Sequence, residues 1–340
     1  MRIVFVGILA FSFCASAVRA QTLERFEFEH GAMGTKFHIV LYAPNAKQAD
    51  RAAAAAFQRV DTLDDILSDY DPSSELSLLS STAGTEEWVS VGDDLWSVLL
   101  QSARLATATD GAFDVTVGPL TRLWRWANRR GVLPDEERIA HARAAVGHWL
   151  IQFDRSSQRV RLEVPGMRLD VGAIGKGFAA DEALAVLTRL GISRALIDAA
   201  GDIVASDSPP DTPGWRVEIP KVDDGTVGSE MVWLSDGAIA TSGDTYRYVE
   251  VDGVRYSHIL DPATGLGLTV RRIATVFAPT AVEADALASA VSVLGHMKEL
   301  ELVASRIQVS ARVLHADGSE WRQWQNSEDR VDPSHNKHRN

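Results

Sequence analysis

The segment from Arg168 to Leu184 reads RLDVGAIGKGFAADEAL and combines residue types that are suited to holding a phosphate group. Three glycines and Lys176 follow a short apolar stretch that ends at Asp170, and an alanine-rich helical pattern comes next. A strand-to-helix junction of this kind offers free backbone N–H groups and partial positive charge to an anion. A tight packing turn explains the same glycines without a ligand, so both interpretations stay open on this segment alone.

Common nucleotide-binding and nucleophile motifs do not account for this segment. A P-loop requires Gly-Lys followed by Ser or Thr, whereas Gly177 follows Lys176. A dinucleotide-binding fingerprint requires G-x-G-x-x-G, whereas Gly172, Gly175 and Gly177 are spaced as G-x-x-G-x-G. The chain also lacks the G-x-S-x-G motif of a serine nucleophile elbow. What remains is a glycine-rich helix start with one movable cation.

Two segments further along the chain offer groups that could act on a phosphate. His258 precedes ILDPATG, whose Pro and Gly turns would hold an imidazole in place, although a single histidine is often only structural. Asp285 and Ser289 are four residues apart in a helical pattern and therefore lie on one face. A carboxylate and a hydroxyl so placed suit Mg²⁺. An acid that complements the helix dipole is the alternative explanation of Asp285.

The elements that must position these groups follow from hydrophobic periodicity and turn residues. A strand over Lys36–Ala43 leads into a long alanine-rich helix with Asn45 as its N-cap. SDYDPSSELSLL predicts a loop, DDLWSVLLQSARLATAT a helix that ends near Asp110–Gly111, and DGAFDVTVGPL a turn-rich wall for a flat aromatic ligand. An aromatic, basic helix follows Gly118–Pro119, and another has Pro134 in its first turn.

The second half of the chain has a different pattern of predicted secondary structure. Short strands are separated by Gly, Pro and Asp turns, and helices interrupt them at KGFAADEALAVLTRLG and AVEADALASAVSVLG. Helices ahead of a strand-rich region predict an α+β chain. The change of pattern allows a domain boundary near residue 150, although no flexible linker marks one.

Charge and the chain ends limit the partners. The 340 residues hold 34 Lys plus Arg against 46 Asp plus Glu, a formal charge of −12, which argues against nucleic acid as the main partner. Residues 1–20 predict a signal peptide, with Arg2, the apolar run IVFVGILAFSF and cleavage after Ala20, rather than a buried strand or a membrane span. Phe13 before Cys14 disfavours a lipid anchor, so we expect a free periplasmic protein. The polar residues 326–340 predict a disordered tail.

Taken in order, eight segments resemble the blocks of the ApbE family, whose members are exported FAD:protein FMN transferases. They run from Ala32 to Gly295 and read AMGTKF, LSDYDPSSELS, DGAFDVTVGPL, LDVGAIGKGFAAD, IDAAGDIVA, IATSGDTYRY, SHILDPATG and APTAVEADALASAVSVLG. The resemblance implies one T-fold-like domain over residues 21–325, with two packed α+β lobes, mixed or antiparallel sheets and flanking helices. It also implies that FAD binds between the lobes with Mg²⁺ at its pyrophosphate.

The same resemblance implies a reaction and a partner. A Thr or Ser hydroxyl of an exported target protein attacks the FMN phosphorus of FAD, AMP leaves, and FMN stays attached through a phosphoester. Family targets are subunits of membrane redox complexes with a D-G-x-x-[ST]-G-A-[ST] motif. Two alternatives use the same site: a pyrophosphatase that yields FMN and AMP, and an FAD-binding protein without chemistry.

Site residues are carried over from the family position by position. The metal ligands fall on the Ala173 carbonyl, the Asp285 carboxylate and the Ser289 hydroxyl, and the catalytic groups on His258, Lys176 and Asp285. FAD contacts fall on Met33, Tyr70, Ala112, Phe113, Asp114, Asp170, Lys176 and Leu260. His258 would remove a proton or orient the phosphate. The chain departs from the family at Ala288, where some members have a second acid, and at Ala199–Asp202, which reads AAGD instead of the usual Gly-Gly-Asp and predicts a small packing change.

Overall fold

A computed structural model of the protein describes residues 22–243, 248–295, 309–317 and 320–325. The predicted signal peptide and the predicted tail lie outside these ranges. The helices within them are α1 (Ala46–Leu67), α2 (Glu75–Ser81), α3 (Asp93–Ala108), α4 (Gly118–Arg130), α5 (Glu136–Arg143), α6 (Gly175–Arg189) and α7 (Ala281–Leu294). Among the described residues, no helix has both the length and the apolar character that crossing a bilayer requires.

The strands form one large antiparallel sheet and three small ones. The large sheet has the order β1-β2-β6-β7-β10-β13-β14-β15, and β3-β5-β4, β8-β9 and β11-β12 are separate. In chain order the strands are β1 (Glu24–Ala32), β2 (Thr35–Ala43), β3 (Val89–Ser90), β4 (Ile151–Asp154), β5 (Arg159–Leu162), β6 (Ala195–Ala199), β7 (Asp202–Ala205), β8 (Trp215–Asp223), β9 (Thr226–Leu234), β10 (Gly237–Gly243), β11 (Tyr248–Val251), β12 (Val254–Ser257), β13 (Arg272–Ala278), β14 (Ser310–Asp317) and β15 (Glu320–Gln325).

Both faces of the large sheet are covered. In β2, Phe37, Ile39 and Leu41 belong to the main core with α1, α6 and α7, whereas Val40 belongs to a second core under the β8–β9 hairpin. This alternation is the two-residue period of a strand buried on both sides. The main core holds buried residues from Ala32 to Val313, so one core joins the parts of the chain before and after residue 150. The predicted α+β class is confirmed.

Two sequence predictions about local structure are wrong. The segment predicted as a loop contains α2, because the Ser74 hydroxyl accepts a hydrogen bond from Ser77 N at 3.0 Å and Leu76 and Leu79 are fully buried. The helix α5 begins at Glu136, two residues after Pro134. Asp135 is the N-cap, with its carboxylate accepting from the backbone N–H of Arg138, so Pro134 lies outside the first turn.

Candidate active site

The glycine-rich segment forms the N-terminus of α6, as the sequence predicts. Gly177 is the third residue of α6, so its N–H is one of the first four that have no partner within a regular helix. Here it donates to Asp285 Oδ2 of α7, at 3.0 Å. Within the described residues the Ala173 carbonyl accepts no hydrogen bond. The Ala173 carbonyl and the Gly177 N–H that binds Asp285 thus both belong to the segment that begins α6.

The close contact between α6 and α7 depends on Gly177. A Cβ atom at this position would lie 2.2 Å from the Ala281 carbonyl oxygen and 2.9 Å from Asp285 Cβ. Only glycine permits this approach, which brings the Asp285 carboxylate to the start of α6. The N-terminus of α7 does not need Asp285, because Asp181 accepts from Ala281 N and Val282 N at 2.9 Å each. Asp285 is the fifth residue of α7, beyond its first turn, so the dipole of that helix does not account for it.

Lys176 lies between two buried carboxylates. Its ammonium group donates to Asp202 Oδ2 and is 3.5 Å from Asp285 Oδ1, and both acids are at most 5% exposed. Burial, together with repulsion from Asp285, raises the pKa of Asp202 above its ordinary value. Burial alone would lower the pKa of Lys176, but Asp285 and Asp202 outweigh it and raise that pKa. One ammonium group cannot neutralise both acids, so the cluster favours an additional positive charge.

Ser289 adds a third oxygen near this cluster. It lies one turn after Asp285 on α7 and is half-buried, and its hydroxyl makes no hydrogen bond to any described residue. Ser292 on the same helix, by contrast, donates to the Ala288 carbonyl at 2.9 Å. The described residues contain no group of three His, Cys, Asp or Glu side chains that could hold a metal. A cation here would therefore be held by the Asp285 carboxylate together with the Ala173 carbonyl and the Ser289 hydroxyl. These oxygen ligands suit Mg²⁺.

A second polar cluster adjoins the glycine loop through Asp170. Its Oδ1 accepts from Gly172 N at 2.9 Å, and its Oδ2 accepts from Thr121 Oγ1 at 2.7 Å and Arg125 Nη2 at 3.1 Å. Arg125 also pairs with Asp69. Burial and the neighbouring Asp170 raise the pKa of Asp69. The Asp170 carboxylate thus ties the glycine loop to α4, and its role in the structure is to hold that loop.

Tyr70 lies at the edge of this cluster. The Arg125 guanidinium is 4.3 Å from the centroid of the Tyr70 ring, and the residue is 76% exposed. A guanidinium against one face of an exposed tyrosine leaves the other face open for stacking. The predicted FAD contact at Tyr70 is therefore geometrically accessible.

The predicted contacts at Ala112, Phe113 and Asp114 differ in what they can offer. Phe113 is buried in the main core, and Ala112 packs against it. Asp114 Oδ1 accepts from Thr116 N at 2.8 Å, and Oδ2 accepts from His148 N at 2.8 Å. Since these side chains are committed to the fold, a ligand at this segment would meet mainly backbone.

The remaining predicted residues lie in turns. Met33 has a φ of 51° between β1 and β2, and its N–H donates to Asp64 Oδ2 at 2.7 Å. His258 is exposed in the turn after β12, and Leu260 is buried against α4 in a cluster with Leu120 and Trp124.

The structure brings Ala173, Lys176, Asp285 and Ser289 to the α6–α7 contact, and hydrogen bonds link Asp170 to it. Tyr70 and Leu260 connect to it through α4. Sequence analysis missed Asp202 as the main partner of Lys176 and Arg125 as the link between Asp170 and Tyr70. The signal for Asp202 was its place after Gly201, as a charged residue at the start of a buried strand.

The chain is similar to proteins of known name along most of its length. A protein named FAD:protein FMN transferase from Vibrio cholerae is 32% identical over 304 residues, which covers 87% of this chain and 89% of that protein. One of the same name from Klebsiella pneumoniae is 30% identical over 298 residues, which covers 86% of this chain and 85% of that protein.

Solved structures give the same result. The flavin transferase ApbE from Vibrio cholerae has a TM-score of 0.80 and 28% identity, covering 90% of this chain and 98% of that one. The apo form of the Pseudomonas stutzeri flavinyl transferase ApbE has a TM-score of 0.78 and 29% identity, covering 89% and 95%. The ApbE family model matches residues 33–313. A match of this extent, with the predicted blocks in place around α6 and α7, means that the chain belongs to the ApbE family.

Proposed function

We propose that this chain is an FAD:protein FMN transferase that moves FMN from FAD to a Thr or Ser hydroxyl of an exported protein. The hydroxyl oxygen forms a bond to the FMN phosphorus, the bond from that phosphorus to the oxygen of AMP breaks, and the hydroxyl proton leaves. The observation that carries this proposal is the contact between Gly177 N and Asp285 Oδ2, beside the free Ala173 carbonyl. The names of the relatives support the same reaction.

The start of α6 supplies what a pyrophosphate needs. The helix dipole places partial positive charge at this end of α6, and Lys176 contributes a positive charge that its two carboxylate partners keep protonated. Phosphoryl transfer requires positioning and charge neutralisation more than covalent help from the protein. When bound, Mg²⁺ would be held by the Ala173 carbonyl, the Asp285 carboxylate and the Ser289 hydroxyl, and would withdraw charge from the phosphate oxygens.

Other elements would contact the flavin and accept the proton of the incoming hydroxyl. The open face of Tyr70 can stack on a flat ring, and the backbone at Ala112–Asp114 and at Leu260 would contact the remaining edges. The imidazole of His258 is solvent-accessible, which allows it to accept the proton that the incoming hydroxyl loses.

The reaction is tested by incubating the protein with FAD, Mg²⁺ and an exported domain that contains D-G-x-x-[ST]-G-A-[ST]. We expect the mass of FMN on one Thr or Ser of that domain, and AMP in equal amount. Free FMN and AMP without acceptor would identify a pyrophosphatase, and bound FAD with no product would identify a carrier; either outcome replaces the proposal.

The metal site is tested by Asp285→Ala. We expect loss of the Mg²⁺ dependence and a decrease in turnover of at least ~100-fold, because the only carboxylate of the predicted ligand set is removed. Asp50→Ala, which removes an exposed acid from α1, is the matched control. Wild-type rates in Asp285→Ala would reject these ligands.

Export is part of the same proposal and rests on residues 1–20 alone. We expect the mature protein in the periplasmic fraction to begin at Gln21, which N-terminal sequencing checks. A protein that keeps its first twenty residues in the cytoplasm would contradict this assignment.

A further inference from the structure

One face of α4 carries three arginines, two of which form no ion pair with the described residues. Arg122, Arg125 and Arg129 follow one another at intervals of three and four residues, so they lie within about 60° of one another around the helix. We call these three residues the arginine stripe. Arg125 is bound into the site through Asp69 and Asp170, whereas Arg122 and Arg129 are exposed.

The two exposed members of the stripe are unpaired. Within the part of the chain that the structure describes, neither Arg122 nor Arg129 forms an ion pair, although acids outnumber bases 46 to 34 in the sequence. The helix dipole explains Arg129, which lies in the last turn, but not Arg122, which lies near the positive end of the helix.

The position of α4 relates the stripe to the reaction. On one side Arg125 reaches Asp170, which holds the glycine loop through Gly172 N. On the other side Trp124 Nε1 donates to the Gly265 carbonyl at 2.8 Å, in the loop that follows His258. The helix therefore forms a rim between the phosphate-binding start of α6 and the histidine turn, and an acceptor polypeptide that reaches the phosphorus would pass this rim.

We propose that the arginine stripe binds an acidic segment of the acceptor protein next to the Thr or Ser that receives FMN. The inference rests on the proposed function, because it assigns the docking surface of that reaction. The argument is charge complementarity: an acidic enzyme repels an acidic partner except where its own unpaired cations meet that partner. A stripe of planar guanidinium groups suits the carboxylates of Asp and Glu.

The test uses binding, so that it does not depend on turnover. Two labelled 15-residue peptides share a central Thr; one has Asp and Glu around it, and the other has Asn and Gln. Fluorescence anisotropy at low salt measures their affinity for wild-type protein, for Arg122→Glu/Arg129→Glu, and for Arg51→Glu/Arg189→Glu. The last variant makes the same charge change at exposed arginines of α1 and α6, toward the C-terminal end of α6 and away from its phosphate-binding start.

We expect wild-type protein and the control variant to bind the acidic peptide at least ten times more tightly than the neutral one, and the stripe variant to lose this preference. Equal binding of both peptides by wild-type protein, or an equal loss in both variants, would overturn the proposal. So would stripe-dependent binding to phosphatidylglycerol vesicles without any preference between the peptides, which would assign the stripe to a membrane surface. Failure of the transferase reaction itself is separate, since it appears as missing FMN on the acceptor while peptide binding is unaffected.

Discussion

At the scale of single residues, the proposed role of His258 concerns the transfer step and not the binding of FAD. Its turn is held by the backbone, since Ser257 N donates to Leu268 O at 2.8 Å and Leu268 N donates to Ile259 O at 3.0 Å. The imidazole of His258 is exposed, so we expect it to act on the acceptor in the proposed reaction.

We predict that His258→Ala leaves FAD affinity within about twofold and slows transfer by roughly 10²–10⁴, the range of general base catalysis. Equilibrium FAD titration and single-turnover transfer measure the two effects. His141→Ala, at an exposed histidine of α5, is the control. An unchanged transfer rate in His258→Ala would assign the proton to another group.

The departure from the family sequence at Ala200 has a larger structural effect than the predicted small packing change. Ala200 has a φ of 57°. It belongs to the AAGD segment, where the family resemblance implies Gly-Gly-Asp. The left-handed conformation is unfavourable for alanine, so the change strains the backbone and is more than a small packing difference.

We predict that Ala200→Gly stabilises the protein by about 0.5–1 kcal/mol, because the backbone strain is relieved. Urea unfolding measures the change. Ala54→Gly, at an exposed position inside α1, should instead destabilise by about 1 kcal/mol. If both variants shift stability in the same direction, backbone strain at Ala200 is not the cause.

At the scale of elements, the crossing of α6 and α7 builds the region that we propose binds Mg²⁺. We predict that Gly177→Ala lowers the free energy of unfolding by about 1–3 kcal/mol and weakens Mg²⁺-dependent transfer at least tenfold, since the new methyl group pushes α7 away. Thermal unfolding and transfer rates measure these effects.

Gly175→Ala is the matched control on the same helix turn. A Cβ atom there would meet its nearest neighbour, Val171 Cγ2, at 3.7 Å, which is ordinary contact. This variant should remain close to wild type. Equal losses in both variants would mean that helix propensity, rather than the contact with α7, determines the result.

The elements also show what sequence can predict. The helix α1 was predictable with its cap, because Asn45 accepts from Gln48 N at 3.0 Å and the alanine pattern is long. The short helix α2 was not, because Pro and Ser residues before it resemble a loop and seven residues give little periodicity. The strand order of the large sheet could not be predicted either, since neighbours such as β2 and β6 are paired by tertiary contacts across about 150 residues.

The roles of the side chains in the site were likewise only partly predictable from the sequence. Types and spacing identified Lys176 and Asp285, but not that Asp202 shares the lysine, because that pairing forms only when β7 meets α6. Similarly, the sequence did not show that the Asp114 carboxylate, a predicted FAD contact, accepts from Thr116 N and His148 N within the fold.

At the scale of the whole molecule, buried acids make stability depend on pH. Asp181, which caps α7, has a pKa raised to about 6 by burial, with Glu283 and Glu182 contributing. A raised carboxyl pKa means that the folded state binds the proton more tightly than the unfolded chain. Its stabilising effect is complete below about pH 3.8 and is lost as the pH rises through about 6.

We predict that the stability of wild-type protein relative to Asp181→Asn is about 1–2 kcal/mol greater at pH 5 than at pH 7.5. Unfolding by urea at the two pH values measures the difference, and comparison with the variant cancels the contributions of other acids. A difference that does not change with pH would show that Asp181 titrates normally.

The distribution of the site along the chain has a consequence for biosynthesis. Its groups begin at Met33 and end at Ser289, and the sheet that supports them closes only when β13 and β14 pair with the earlier strands. A nascent polypeptide still on the ribosome, or one threaded through a translocation channel, lacks Asp285 and Ser289 of the proposed metal site. Under the proposed function, we therefore expect the chain to bind FAD only after translation and folding are complete.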